Sequence, residues 1–316
     1  MPSSTLVTGG AGFIGSSIVR ALLARGDKVR VLDNFFSGKR ENLAEVAGDI
    51  ELIEGDIRDA ATVARACAGV EVVFHEAAIP SVPRSLADPI ASNDVNINGT
   101  LTVLHEAKRA GVRRLVYAAS SSAYGDTPRL PKIETMRPAP LSPYAVGKLT
   151  GEHYCQVFAT AYGLETVCLR YFNVFGARQD PKSEYAAVIP RFVTAGLAGQ
   201  GVTIFGDGTQ SRDFCYIDNT VEANLAAASA PAAGASGQVF NVACGAATTL
   251  NDVVRLISET LGRAIPITYA ARRVGDVKHS LADVAAARSQ LGYRGEISFG
   301  EGLRRTIAWY SERRAK

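Results

Sequence analysis

The 316-residue chain has few cysteines, few histidines, little charge imbalance and no long apolar run. Its five cysteines (Cys67, Cys155, Cys168, Cys215, Cys244) form no CxxC pair and are odd in number, so reduced thiols are expected rather than a disulfide frame. No stretch reaches the roughly 18 uncharged apolar residues a membrane helix needs, and MPSSTLVTGG lacks the charged start and cleavage site of a secretory leader. A cytoplasmic protein without a membrane partner is therefore expected. The four histidines (His75, His105, His153, His279) show no metal-ligand spacing, and no metal is expected. His75 reads as a satisfied buried histidine, and the lone Trp309 as a packing residue. Net charge is only +3 and the basic residues are scattered, which excludes a nucleic-acid footprint. There is no internal repeat.

What remains is an ordinary enzyme-like composition, 47% apolar and 21% charged, in a chain longer than one usual core. Short β-branched runs at 5–9, 28–33, 50–56, 70–78, 113–120 and 165–173 alternate with helical stretches. That rhythm predicts an α/β fold, a doubly wound parallel sheet of Rossmann type with all six runs buried. After Asn173 the chain becomes loop-rich, and QVFNVACG (238–245) reads as a further strand rejoining the first sheet. The expected division is a dinucleotide domain over 1–172, rejoined by about 214–245, and a smaller α/β lobe mainly over 173–316.

The first run enters Gly9-Gly10-Ala11-Gly12-Phe13-Ile14-Gly15 and then a helix. Glycines there permit a tight turn and close approach of backbone to a pyrophosphate, while the helix N-terminus faces the anion. The second run ends at Asp33, where a carboxylate accepts from the adenosine ribose and repels a 2′-phosphate, so NAD is favoured over NADP. Lys39 and Arg40 keep the phosphorylated form open. Asp56 ends the third run, where it can meet the adenine amino group. Ala77 and Ala78 end the fourth and leave room for a ligand.

The fifth run ends at Ser120 on the same sheet edge. A helix opened by Ser142-Pro143 carries Tyr144 and, one turn on, Lys148, which places both side chains on one face. A tyrosine hydroxyl is a poor base at neutral pH, and an ammonium neighbour is one of few things that lowers its pKa. Lys148 and a positive nicotinamide are expected to bring Tyr144 into range as a general base.

With Gly9-x-x-Gly12-x-x-Gly15, Ser120 and Tyr144-x-x-x-Lys148 in this order, the chain resembles the extended short-chain dehydrogenase/reductases. Over its whole length it resembles their nucleotide-sugar 4-epimerase branch. The resemblance implies tightly bound NAD, regenerated in each turnover, and a UDP-hexose substrate. Tyr144 takes the proton of the sugar 4-hydroxyl, Ser120 hydrogen-bonds that oxygen, and a transient 4-keto sugar turns its other face before reduction. Ser122 is a candidate helper. Lys148 also matches the residue that hydrogen-bonds the nicotinamide ribose. The implied cofactor contacts further include Phe13, Ile14, Asn34, Ser37, Gly38, Ile57, Asn96 and Tyr171. A homodimer through the helices around Asn96–Arg109 and Pro143–Tyr162 is implied as well.

For the substrate, the resemblance implies contacts from Ser81, Arg84, Asn173, Val188 and Gln210, uracil packing on Thr203, Ile204 and Phe205, diphosphate pairing by Arg212 and Arg273, and a ribose contact from Asp276. Bidentate guanidinium pairing suits phosphate. The family's 4,6-dehydratases carry Asp-Glu where this chain has Ser121 and Ser122, and its decarboxylases want a glutamate nearby, where this reading finds none. Ser280 stands where glucose-restricted epimerases carry a tyrosine, which leaves room for an acetamido group. UDP-N-acetylglucosamine is therefore expected alongside UDP-glucose. UDP-glucuronate, with Arg84 at the sugar C6, and a non-catalytic nucleotide sensor stay open as alternatives.

Overall fold

The computed structural model describes residues 3–181, 187–272 and 277–314. Seven strands form one parallel sheet: β1 (Ser4–Thr8), β2 (Lys28–Asp33), β3 (Ile50–Glu54), β4 (Val72–His75), β5 (Arg114–Ser120), β6 (Glu165–Tyr171) and, after other elements named below, β11 (Gln238–Val242). Their order is β11-β6-β5-β4-β1-β2-β3. The order reverses between β1 and β4, and a crevice opens at that point beyond the strands' carboxyl ends.

Period-2 alternation sends neighbouring residues into two cores. Leu6, Val73 and Leu115 pack on one face with helices α2 (Ala60–Cys67) and α5 (Thr100–Arg109). Val7, Phe74 and Val116 pack on the other with α1 (Phe13–Ala24) and α8 (Ile217–Ser229), in a core continuous with the C-terminal lobe. Of the runs read as buried, only β3 departs. It is the edge strand, with Glu51, Leu52 and Glu54 exposed, because nothing pairs beyond it.

Three segments position the site. SVPRSLADP holds α3 (Val82–Ala87) and the start of α4 (Pro89–Asn93), which passes through a wide turn at Asp94–Gly99 into α5. Helix α6 (Pro143–Tyr162) starts as its sequence predicts: Ser142 Oγ accepts from Ala145 N (3.2 Å), Pro143 follows, and Gly163 closes the helix at φ +69°. Past β6, the lobe comprises β7 (Val174–Phe175), α7 (Val188–Leu197), β8 (Val202–Phe205), β9 (Ser211–Asp213) and β10 (Cys215–Tyr216) before α8. The short α9 (Ala232–Ala235) precedes β11, and β12 (Ala247–Thr249), α10 (Leu250–Leu261), β13 (Ile267–Ala270) and α11 (Phe299–Arg314) complete the chain. Small pairs β7–β10, β8–β13 and β9–β12 hold the lobe. Among the described residues no helix is long and apolar enough to cross a membrane.

Candidate active site

The turn after β1 can be built only from glycine at two positions. Gly9 has φ +69°, and a Cβ there would lie 2.7 Å from Ala77 N, across the crevice between β1 and β4. A Cβ on Gly15 would lie 2.2 Å from Gly9 O, so helix and turn touch backbone to backbone. Asp33 is fixed beside them, Oδ2 accepting from Ala11 N (2.9 Å) and Oδ1 from Phe35 N (2.8 Å). Burial raises its pKa, against the lowering effect of those two bonds.

A cleft of about 890 Å³ runs from this turn to α6. Gly9, Gly12, Phe13, Ile14, Gly15, Asp33, Asn34, Ser37, Gly38, Asp56, Ile57, Ala77, Ala78, Tyr144, Lys148 and Tyr171 all line it. An extended dinucleotide fits such a site: a backbone cradle and helix N-terminus at one end, a carboxylate beside it, and a hydroxyl–ammonium pair at the other. Asp56 is committed first to Arg58, whose Nη2 and Nε donate to it at 2.9 and 3.0 Å and hold its pKa down at about 2. Asn96 is not among the residues lining the cleft. Its side chain is buried away from the cleft, bonded to Ile79 N (2.8 Å) and Ile79 O (3.1 Å), so it shapes the turn after β4.

Ser120 ends β5 on the side of Tyr144, whose pKa it lowers. Ser122 stands behind it, its Oγ donating to Ser120 Oγ at 2.9 Å and its N at 3.2 Å. Ser120 therefore faces Tyr144, while Ser122 orients Ser120. One turn further along α6, Lys148 is buried, with Nζ donating to Ala118 O at 2.7 Å. The expected lowering of the Tyr144 pKa is not found in the protein alone. Burial raises it, Ser120 lowers it, and the charge of Glu76 adds to the rise. Lys148 spends a proton on the Ala118 carbonyl and is itself pushed down by burial.

Glu76, which follows β4 in the stretch HEAA, was missed by sequence reading. It lines the cleft with Tyr144 and Lys148 and accepts from Tyr171 Oη at 2.8 Å. The expectation of no glutamate near the site is thus corrected. The legible signal was a carboxylate at a strand's carboxyl end between a buried histidine and two alanines. His75 is satisfied as read, with Thr8 Oγ1 at 2.7 Å from Nδ1 and Thr100 Oγ1 at 3.0 Å from Nε2.

The expected substrate residues separate into groups. Ser81 and Arg84 line the main cleft with Tyr144. Asn173, Gln210, Arg212 and Ser280 gather around β9. Asn173 Nδ2 donates to Asp213 O (3.2 Å), Ser280 N to Ser211 O (3.1 Å), and Arg212 Nη1 to Ser211 O (2.9 Å) and Lys278 O (3.1 Å). Gln210 Nε2 donates to Phe205 O at 2.6 Å. Thr203 lines a separate cavity of about 370 Å³ beside α7, the helix that Val188 begins. Ile204 is fully buried in the core, backbone included, and Phe205 is half-buried. Arg273 and Asp276 lie outside the described residues.

The family model for the NAD dependent epimerase/dehydratase family matches residues 5–243. The UDP-glucose 4-epimerase of Mycolicibacterium smegmatis is 40% identical over 310 residues, 97% of this chain and 98% of its own. Two solved structures are similar over nearly their whole length. One is the UDP-N-acetylglucosamine 4-epimerase of Methanobrevibacter ruminantium in complex with UDP-N-acetylmuramic acid (TM-score 0.93, 40% identity, 99% of both chains). The other is the UDP-glucose 4-epimerase of Thermotoga maritima with UDP-glucose (TM-score 0.93, 38% identity, 98% of this chain and 99% of the other). The chain belongs to the NAD dependent epimerase/dehydratase family, and NAD is the cofactor its glycine turn and Asp33 accommodate.

Proposed function

We propose that the protein is a UDP-sugar 4-epimerase that turns over UDP-N-acetylglucosamine and UDP-N-acetylgalactosamine as well as UDP-glucose and UDP-galactose. The observation that carries this is the Tyr144–Lys148 pair at one end of the cofactor cleft, with Ser120 acting on Tyr144 from the end of β5. Tyr144 takes the proton of the sugar 4-hydroxyl and later returns it. Ser120, oriented by Ser122, hydrogen-bonds the same oxygen. Lys148 supplies positive charge that favours the phenolate and holds the ribose next to it. Bound NAD supplies a hydride acceptor and donor at the sugar C4. The 4-keto sugar swings about its bond to the diphosphate and presents the opposite face. Ser121 and Ser122, where a dehydratase carries Asp-Glu, cannot protonate a leaving hydroxyl, which favours epimerisation over elimination.

Residues 1–172 with about 214–245 form the NAD-binding part, and 173–316 mainly the UDP-sugar part. Arg212, Asn173, Gln210 and Val188 hold the nucleoside diphosphate with Arg273 and Asp276, and Thr203, Ile204 and Phe205 form the uracil wall. Ser280 leaves space for the acetamido group. In support, Ser280 is bonded to the strand that carries Arg212, and a relative at 40% identity is a UDP-N-acetylglucosamine 4-epimerase. Arg84 in the main cleft supports a second reading, a UDP-glucuronate epimerase with that guanidinium at the sugar carboxylate. We further propose a homodimer through α6 and the α4–α5 segment, where Ile90, Val146 and Val157 are exposed apolar side chains. Light scattering at twice the 33.4 kDa of one chain is the expected result, and 33.4 kDa itself would contradict it.

Tyr144→Phe tests the chemistry. Turnover should fall by about two to four orders of magnitude, the usual contribution of a positioned proton-transfer group, with the NAD content unchanged. An unaffected rate would refute the assignment.

A further inference from the structure

Arg212 and Ser280 sit on two extended segments that run side by side. Ser211 N donates to Lys278 O and Ser280 N to Ser211 O, each at 3.1 Å, and Ser211 pairs with His279 in parallel. The next bond of that ladder would join Ala282 N to the carbonyl of Asp213. That carbonyl instead accepts from Asn173 Nδ2 at 3.2 Å, and Ala282 N donates to the Asp213 carboxylate, Oδ2, at 3.2 Å. The same carboxylate also reaches the turn after β11, at the edge of the parallel sheet. Its Oδ1 accepts from Cys244 N at 2.9 Å and its Oδ2 from Gly245 N at 3.0 Å. Asp213 is fully buried, so one side chain ties β9, the segment past Ser280 and the end of the sheet together. Burial pushes its pKa up to about 6 and the backbone bonds oppose that rise, so the carboxylate is ionised at neutral pH.

The geometry points to Asp213 as a positioning residue for the UDP-sugar site, its carboxylate fixing Arg212 and Ser280, and its carbonyl Asn173, in one arrangement against the NAD-binding sheet. The inference rests on the reading of those three residues as substrate contacts. Hydrogen bonds to a charged acceptor are about twice as strong as neutral ones, and a buried N–H that loses its acceptor keeps its desolvation cost. Asparagine at position 213 has the same shape but one acceptor oxygen, and its amide nitrogen would face an N–H donor. The segments would then part at this junction. Arg212 adjoins it directly, and Arg212 Nη1 also donates to Lys278 O at 3.1 Å, so a shift of the 278–282 segment moves the guanidinium as well. The glycine turn, Tyr144 and Lys148 stand on other elements and keep their own bonds. The loss should therefore fall on substrate binding and spare cofactor and proton transfer.

The experiment compares the parent holoenzyme with Asp213→Asn, by kinetics on UDP-glucose and by calorimetry of UDP binding. KM should rise about tenfold or more, with kcat within about threefold of the parent and NAD content unchanged, and the affinity for UDP should fall by a similar factor. Unchanged KM and UDP affinity would overturn the proposal, and so would a loss confined to kcat or to NAD content. Should Asp213→Asn fail to fold, Ala282→Pro replaces it, since it deletes one N–H donor and leaves the carboxylate its bonds to Cys244 and Gly245. The same rise in KM is expected, and its absence would overturn the proposal. If the parent binds UDP but epimerises no UDP-sugar, weaker UDP binding in the variant would uphold the positioning role and refute the functional reading. A parent that binds no UDP would overturn both.

Discussion

Lys39 Nζ and Asp180 Oδ2 stand 2.8 Å apart and join the loop after β2 to the loop after β7 along the rim of the cofactor cleft. Both residues line the cleft, and the pair is partly exposed, with 46% and 31% of the two side chains accessible. An exposed pair contributes at most about 1 kcal/mol, or about a fivefold change in a rate or equilibrium constant. Lys39→Ala should therefore speed NAD dissociation up to about fivefold, and added salt should speed release from the unmodified protein while leaving the variant unaffected. Fluorescence of released NADH after a rapid dilution measures both. Equal off-rates in the two proteins would show that the rim pair does not retain cofactor.

Gly15→Ala should cripple cofactor binding. The new Cβ would sit 2.2 Å from Gly9 O, a backbone atom that cannot swing aside, so the helix must separate from the turn. Overpacking of this kind costs about 1–3 kcal/mol of stability. The protein should purify with markedly less NAD, read from absorbance after denaturation, and unfold at lower denaturant.

Ser280→Tyr should abolish activity on UDP-N-acetylglucosamine while sparing UDP-glucose, assayed separately by chromatography of the products. Survival of both activities together would refute the acetamido-pocket argument.

His75 gives a pH prediction for stability. It is fully buried and neutral, bonded to Thr8 and Thr100, and its folded pKa is depressed from 6.5 to about 3. Below pH 6.5 the unfolded chain takes up a proton here that the folded chain refuses, so this contribution is complete above 6.5 and lost as pH falls. At pH 5 the loss is about 2 kcal/mol relative to pH 7. Urea unfolding of His75→Gln, less stable at pH 7, should show a shallower decline between pH 7 and 5 than the parent. Parallel declines would contradict the assignment.

Much of this site was legible because its parts are local. Gly9, Asp33, Ala77 and Ser120 lie at or just past the carboxyl ends of strands whose parallel order puts them on one edge, and Gly15 is in the first turn of the helix that follows. Tyr144 and Lys148 are one helical turn apart behind a Ser-Pro cap. What was not legible depends on packing across the sheet. The bonds of the Asn96 amide to the Ile79 backbone, and of Glu76 to Tyr171 and through it to Asn224, form only when the chain is packed. The same limit applies to electrostatics. The four-residue spacing suggested a lowered Tyr144 pKa, but burial and Glu76 outweigh that in the protein alone. Short β3 read as buried from its isoleucines and leucine, although its two glutamates, Glu51 and Glu54, mark an exposed edge.

The most direct test of the central claim is proton NMR of purified protein mixed with UDP-N-acetylglucosamine and no added NAD. Appearance of UDP-N-acetylgalactosamine is the predicted result, and it requires 4-epimerisation, retained cofactor and space for the acetamido group at once. No conversion there, nor of UDP-glucose after NAD is supplied, would contradict the account.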